Sequence, residues 1–230
     1  MADAQYDLAR LALEESDLPL AEQLLDICFR IRERLADTLG LALVLFRQAW
    51  LHYEFRHIET AAELAQRALD IQEQAHDRHN CLYTLHLLAD IMLHGKADYA
   101  QAAQFCERAI ALCDELHDLD ALAPALSTLA EIHRLQGRLT EARTEAERSL
   151  ALAKLMGSRK AQAHYLFRLS KIDADAGQLE ASLQSATVSL ALCRDLQDRW
   201  GAVYLLEHLG RLQYRLNQNA DGHQMWLEAF

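Results

Sequence analysis

Proline and glycine are scarce in this 230-residue chain, which has two of the first and eight of the second. So few breakers, set against abundant Ala, Leu, Glu, Gln and Arg, exclude a turn-rich architecture and predict an almost wholly helical protein. No run of period-two alternation is long enough to form a strand. A stretch of about 18 uncharged apolar residues is also missing, so no membrane span is expected. Basic residues are in deficit, 23 Lys and Arg against 34 Asp and Glu, giving a net charge of −11. That balance opposes nucleic acid and anionic membranes as main partners, because both depend on a basic footprint. The first residues, MADAQYDLARLALEE, carry acid where a secretory leader is basic, so a cytoplasmic location is expected. Cys28, Cys81, Cys106, Cys113 and Cys193 are an odd number with no CxxC pair. Cys28 and Cys106 fall on inward-facing columns as small apolar residues, and no disulfide framework is expected.

Chemical signatures are missing too. HExxH, P-loop, GxSxG and GxGxxG patterns do not occur. His76 and His79 are the nearest histidine pair, but they span a helix end and the next start, with no third ligand converging. His52 and His133 share a repeat column and read as packing residues with a polar tip. Glu141, Glu145 and Glu147 read as solvated, solubilising charge. With no nucleophile beside a positioned base, the chain is expected to be non-enzymatic, with neither cofactor nor metal.

What the sequence does have is a repeat. The stretch Leu126–Ser158 reads as two helices joined at Gly137, with small residues Ala130, Ala142, Ala146 and Ser149 where the helices must approach closely. The position of Ala130 recurs as Ala9, Ala49, Ala89, Ser170 and Gly210, in steps of 40 or 41. An aliphatic column follows two residues later: Leu11, Leu51, Ile91, Ile132, Ile172 and Leu212. The second helix supplies Ala21, Ala61, Ala102, Ala142, Ser182 and Gly222. Caps between repeats fall at Asp37, Asp77, Asp118, Ser158 and Asp198, where a side-chain oxygen can accept from the free N–H groups of the next helix. The single extra residue lies near Leu93–Asp98, and a longer turn through Gly95 and Asp98 is expected there. These columns predict one repeat domain over 1–230, with hairpins at about 3–36, 38–76, 79–117, 119–157, 159–197 and 199–230.

The last hairpin is short and ends in MWLEAF, whereas a repeat array normally closes on a polar helix. Two expectations follow. Either the chain is a piece of a longer protein, or Trp226 and Phe230 form a terminal plug or self-association surface.

The Leu-Ala pairs (Leu8-Ala9, Leu88-Ala89, Leu129-Ala130), the turn Gly137-Arg138-Leu139-Thr140-Glu141-Ala142 and the close Glu107-Arg108-Ala109-Ile110 resemble the tetratricopeptide repeat (TPR) family in its longer, 40-residue form. The likeness covers nearly the whole chain. The proline that follows the family's second helix is absent, and the bulky first-helix column is irregular (Ala12, His52, Met92, His133, Asp173, Gln213). The resemblance implies an all-α solenoid, a right-handed superhelix of about six hairpins whose first helices line a concave groove. It also implies a role in holding a peptide, a partner helix or a small signal, as in bacterial regulators and signalling ATPases.

At 100° per residue, the first-helix arc opposite the core holds positions six and three before the small residue, and one and four after it. Eight of the 16 aromatics occupy these 24 positions, where a 7% average would place fewer than two. The candidate groove residues are Tyr6, Arg10, Phe46, Trp50, Tyr53, Tyr83, His86 and Asp90, then Glu131, Arg134, His164, Phe167, Lys171, Tyr204, Glu207, Arg211 and Tyr214. Rings group as Phe46/Trp50/Tyr53/Tyr83 and Phe167/Tyr204/Tyr214, with a charged belt between them. Aromatic anchors beside complementary charge predict a protein or peptide partner. The same rings could instead pack on each other as core or meet a second copy. At the level of function, the alternatives are a small-molecule sensor and a structural spacer that self-associates through Trp226 and Phe230.

Overall fold

The structure, a computed structural model, describes residues 2–15 and 17–216. The second helix expected after Asn217, with Trp226 and Phe230, lies outside the described residues. Eleven α-helices and one π-helical turn make up the described chain, with no strand among them: α1 Ala2–Glu14, α2 Leu18–Arg34, α3 Thr38–Glu54, α4 Ile58–Gln74 and α5 Arg78–Asp90, then the π turn Ile91–Lys96 and α6 Tyr99–Leu116. The remainder are α7 Leu119–Leu135, α8 Leu139–Leu155, α9 Arg159–Asp175, α10 Leu179–Asp195 and α11 Arg199–Arg215. Consecutive helices pair as hairpins, so the described chain is an all-α solenoid. It divides into two compact halves, Met1–Asp118 and Leu119–Phe230, at the cap between the third and fourth hairpins.

Local chemistry sets each turn. After α2 the N–H of Asp37 donates to Arg32 O at 3.0 Å and that of Ala36 to Glu33 O at 3.1 Å, which ties off the helix's last carbonyls. The residue between must be left-handed: Ala36, His76, His117 and Gln197 take φ of 52 to 57° between hairpins, and Arg56, Gly137 and Gly177 take φ of 63 to 76° within them. Side-chain caps then start the following helices. Asp37 accepts from Gly40 N at 2.9 Å, Asp77 from Asn80 N at 3.3 Å, Ser158 from Ala161 N at 3.4 Å and Asp198 from Gly201 N at 2.9 Å. Pro19 sits in the first turn of α2, where its missing N–H leaves no bond unmade.

Packing follows the columns. Ala9, Ala49, Ala89, Ala130 and Ser170 are fully buried, as are Ala21, Ala61, Ala102, Ala142 and Ser182 facing them. Leu51, Ile91, Ile132, Ile172 and Leu212 are buried, but Leu11, on the outermost helix α1, is 48% exposed. Where serine replaces alanine, Ser170 Oγ and Ser182 Oγ lie 2.9 Å apart and each hydroxyl reaches the other residue's carbonyl, at 2.9 and 2.7 Å. All five cysteines are free and buried.

The extra residue of the third hairpin is not in a longer turn, as expected, but inside the helix. In other hairpins the N–H of the cap residue closes on a carbonyl five back: His57 on His52, Arg138 on His133 and Gln178 on Asp173, each at 2.8 Å. In the third, Asp98 N closes on Met92 O, six back, at 2.9 Å. The acceptors all belong to one repeat column, so the turn is conserved in form and the surplus residue is taken up by widening Ile91–Lys96 into a π turn. This keeps Ile91, Met92 and Leu93 buried, which an extruded loop would not.

Candidate ligand-binding face

In the first half, the sequence-predicted positions are mostly half-buried supports. The Tyr6 hydroxyl accepts from Arg47 Nε at 3.3 Å, and the Arg32 guanidinium stands 5.7 Å from the centre of its ring. Arg47 also lies over Phe46 at 5.4 Å. Trp50 packs against the apolar cluster of Ala9, Leu25, Cys28 and Val44. Tyr53 is half-buried, and its phenol is raised by burial and then by the charge of Asp90. His86 Nε2 is 4.0 Å from Asp90 Oδ2, and Arg10 is exposed. Tyr83, 47% exposed, meets the His79 ring edge-on at 5.4 Å.

The second half gathers the charged candidates. Glu131, predicted to face outward from α7, is instead only 5% exposed and forms the floor of the site. Arg134 donates to its two oxygens at 2.9 and 3.1 Å, Lys171 Nζ lies at 2.9 Å and Arg168 Nη1 at 2.8 Å. Burial alone would raise the carboxyl, but the hydrogen bonds from Arg134 and the charges of Arg168 and Lys171 outweigh it and hold it well below the usual carboxylate range. The Arg134 guanidinium, raised chiefly by its bonds to Glu131, also pairs with Asp175. Burial pulls the Lys171 ammonium down, an effect opposed by Glu131. Lys171 also stands 5.7 Å over the Phe167 ring.

Above this floor is a cavity of about 480 Å³, formed by α7, α9 and α11. Of the predicted residues, Arg134, Phe167, Lys171, Tyr204, Glu207 and Arg211 line it. His164 is exposed on α9, with Arg168 Nη2 3.4 Å from its Nε2. Tyr214 is 64% exposed, and Arg211 pairs with Glu207 one turn before it.

Arg168, Asp175, His208 and Arg215 were not among the predicted residues. Arg168 and His208 occupy the same column as Arg47, two before the small residue, and the recurrence of a polar group there was a readable signal. His208 Nε2 lies 2.8 Å from Ser170 Oγ, and its ring meets Phe167 edge-on at 5.4 Å. Burial, then Lys171 and Arg211, lowers its pKa to about 4, so the imidazole is neutral near pH 7. Arg215 donates to Ala174 O at 3.2 Å.

Glu145, expected as solvated charge, is a correction: its Oε2 lies 2.7 Å from Nδ1 of the buried His133, because the first helix of the hairpin packs over it. Among the described residues, no three His, Cys, Asp or Glu side chains converge to hold a metal. No helix among them is long and apolar enough to cross a membrane.

No family model matches the sequence, and no curated protein matches it. Solved structures do. The apo form of RapI superposes with a TM-score of 0.81 at 10% identity, over 99% of this chain and 97% of that one. The fold is that of a tetratricopeptide-like array of helical hairpins. Aspartyl phosphate phosphatase F from Bacillus subtilis gives 0.79 at 14% identity, over 99% of this chain and 58% of that one. A STAND protein with a tetratricopeptide repeat sensor from Pyrococcus horikoshii gives 0.79 at 15%, over 99% and 36%. At such identities the likeness of these TPR-like proteins is one of fold.

Proposed function

We propose that this TPR-like array is a non-enzymatic interaction module, the cytoplasmic sensor or scaffold part of a regulator, which holds a peptide or partner segment on the face of α7, α9 and α11. The cavity there carries the reading. Its rings, Phe167 and the 58% exposed Tyr204, stand beside Arg134 and Lys171, whose charged ends are fixed by the buried Glu131. Rigid rings next to pre-oriented charges are what recognition surfaces use. The Pyrococcus horikoshii neighbour, a protein with a tetratricopeptide repeat sensor, is consistent with that role. Catalysis is not proposed: Ser170 contacts His208 but is fully buried and also bonded to Ser182, which suits a structural hydroxyl.

A second reading has its own support, since about 480 Å³ is also the size of a small-molecule site. Calorimetry of the full chain against pooled capped peptides and against pooled metabolites separates the two. A peptide buries far more surface and gives the larger negative heat-capacity change. Peptide heat that vanishes in Tyr204→Ala is the expected result; heat from metabolites alone would favour the second reading.

A further inference from the structure

A second cavity, of about 340 Å³, adjoins the first between α9, α10 and α11. Phe167 and Tyr204 line both, so these two rings form a shared wall. The two chambers differ in chemistry. On the first side, Arg134, Lys171, Arg211 and Arg215 face Asp175 and Glu207, with Glu131 and Arg168 beneath. Five cations therefore meet three acids, a local excess of positive charge on a chain whose net charge is −11. Burial pulls the Lys171 ammonium down, and a further anion in the chamber would oppose that pull as Glu131 does. On the second side the surface is mainly apolar, with Ala163, Cys193, Leu196 and Leu205 in its lining, and Lys160, His164 and Asp198 there as one acid against one lysine and one histidine. Ser189, also on that side, donates to Ala163 O at 2.7 Å, so its hydroxyl already has an acceptor.

We propose that the paired chambers select an acidic peptide segment in which a side-chain carboxylate lies close to a bulky apolar residue, the carboxylate entering the cationic chamber and the apolar group the other. The inference rests on the peptide-binding reading above and adds the ligand's chemistry to it. Side chains two apart in an extended segment share one face about 7 Å apart, a spacing that can straddle a single aromatic wall. Complementary charge speeds encounter and rejects the wrong sign.

The test uses fluorescein-labelled, end-capped octapeptides and the full chain in fluorescence anisotropy. One peptide repeats Glu-Glu-Leu-Leu, which sets glutamate and leucine two apart on one face; one replaces its glutamates by glutamine, one replaces its leucines by alanine, and one replaces its glutamates by lysine. The glutamate–leucine peptide is expected to bind, with losses of about tenfold or more on either the glutamine or the alanine change, equivalent to about 1.4 kcal/mol each. Arg211→Glu, at an exposed position that leaves the fold intact, should weaken the glutamate–leucine peptide by a similar factor. Arg134→Met provides the second variant, with circular dichroism to confirm folding. Equal binding of the glutamine or lysine peptide would overturn the acidic specificity while leaving a peptide module standing. Binding of none of the four, with heat from inorganic phosphate or pooled metabolites instead, would overturn both readings.

Discussion

Lys171 Nζ lies 2.9 Å from Oε1 of Glu131, forty residues earlier in the chain. Arg134 reaches Asp175 and Arg215 reaches Ala174 O across 41 residues, so the repeat length of the sequence becomes the contact spacing between successive first helices. Charged side chains thereby bind three neighbouring helices, α7, α9 and α11, along one face. Each pairing is set by the helix stack and not by nearness in sequence.

Removing the central acid tests this arrangement. Glu131→Gln leaves Arg134, Arg168 and Lys171 around a neutral group, and should destabilise the chain by about 3–5 kcal/mol. Urea unfolding followed by circular dichroism measures it. A loss below about 1 kcal/mol, typical of an exposed pair, would mean that Glu131 is not the electrostatic floor.

Acid sensitivity should show two windows. His208 has a folded pKa of about 4, below the ordinary 6.5, so the unfolded chain takes up its proton first. Its contribution is complete above about 6.5 and is lost as the pH falls from there towards 4. Glu131, also depressed in the fold, adds a loss below about 4.5. Urea midpoints from pH 7 to 4 should fall less steeply in His208→Gln than in the parent; parallel profiles would contradict the assignment.

The π turn predicts an inverted glycine effect. In a helix, Gly→Ala ordinarily stabilises by up to about 1 kcal/mol. A Cβ on Gly95 would instead stand 2.7 Å from Ile58 Cγ2, so Gly95→Ala should cost about 1–3 kcal/mol. Removing the neighbour's Cδ1, which would stand 3.0 Å from that Cβ, in the double variant with Ile58→Val should recover part of it. Thermal melts of the three chains decide the sign.

Two aromatics predicted as equivalent should behave differently. Trp50 packs on the α1–α3 apolar cluster, and Trp50→Ala should cost roughly 2–4 kcal/mol. Tyr204, 58% exposed, should change stability by less than about 0.5 kcal/mol on Tyr204→Ala while abolishing peptide heat.

Thiol chemistry offers an independent check on burial. Cys113 is pushed up to about 11 by burial and then by Asp118 and Asp114, and Cys28, Cys81 and Cys193 are raised as well. Thiolates are the reactive form, so labelling of the folded chain by a thiol reagent should be slow at neutral pH and jump to five equivalents in urea.

The hairpins, their caps and their small-residue seams were legible in the sequence because their causes are local: Asp37 and Ser158 cap within three residues, and Ala130 meets Ala142 within one turn. The charged site was legible only in part. Phe167, Lys171 and Tyr204 lie on the arc that helical periodicity marks out, but that arc describes one helix alone. Arg168, Asp175 and His208 join the site only when a neighbouring helix covers the boundary of the arc, and the same covering buries Glu131 and turns Glu145 towards His133. The extra residue near Gly95 was countable, yet its place was not, since a wider helical turn and a longer loop add the same residue. By itself the sequence determined where the helices begin, end and repeat, because capping, left-handed turns and apolar period act within a few residues. Only the tertiary structure decided which charges are buried and paired, because that depends on side chains forty residues apart meeting out of water.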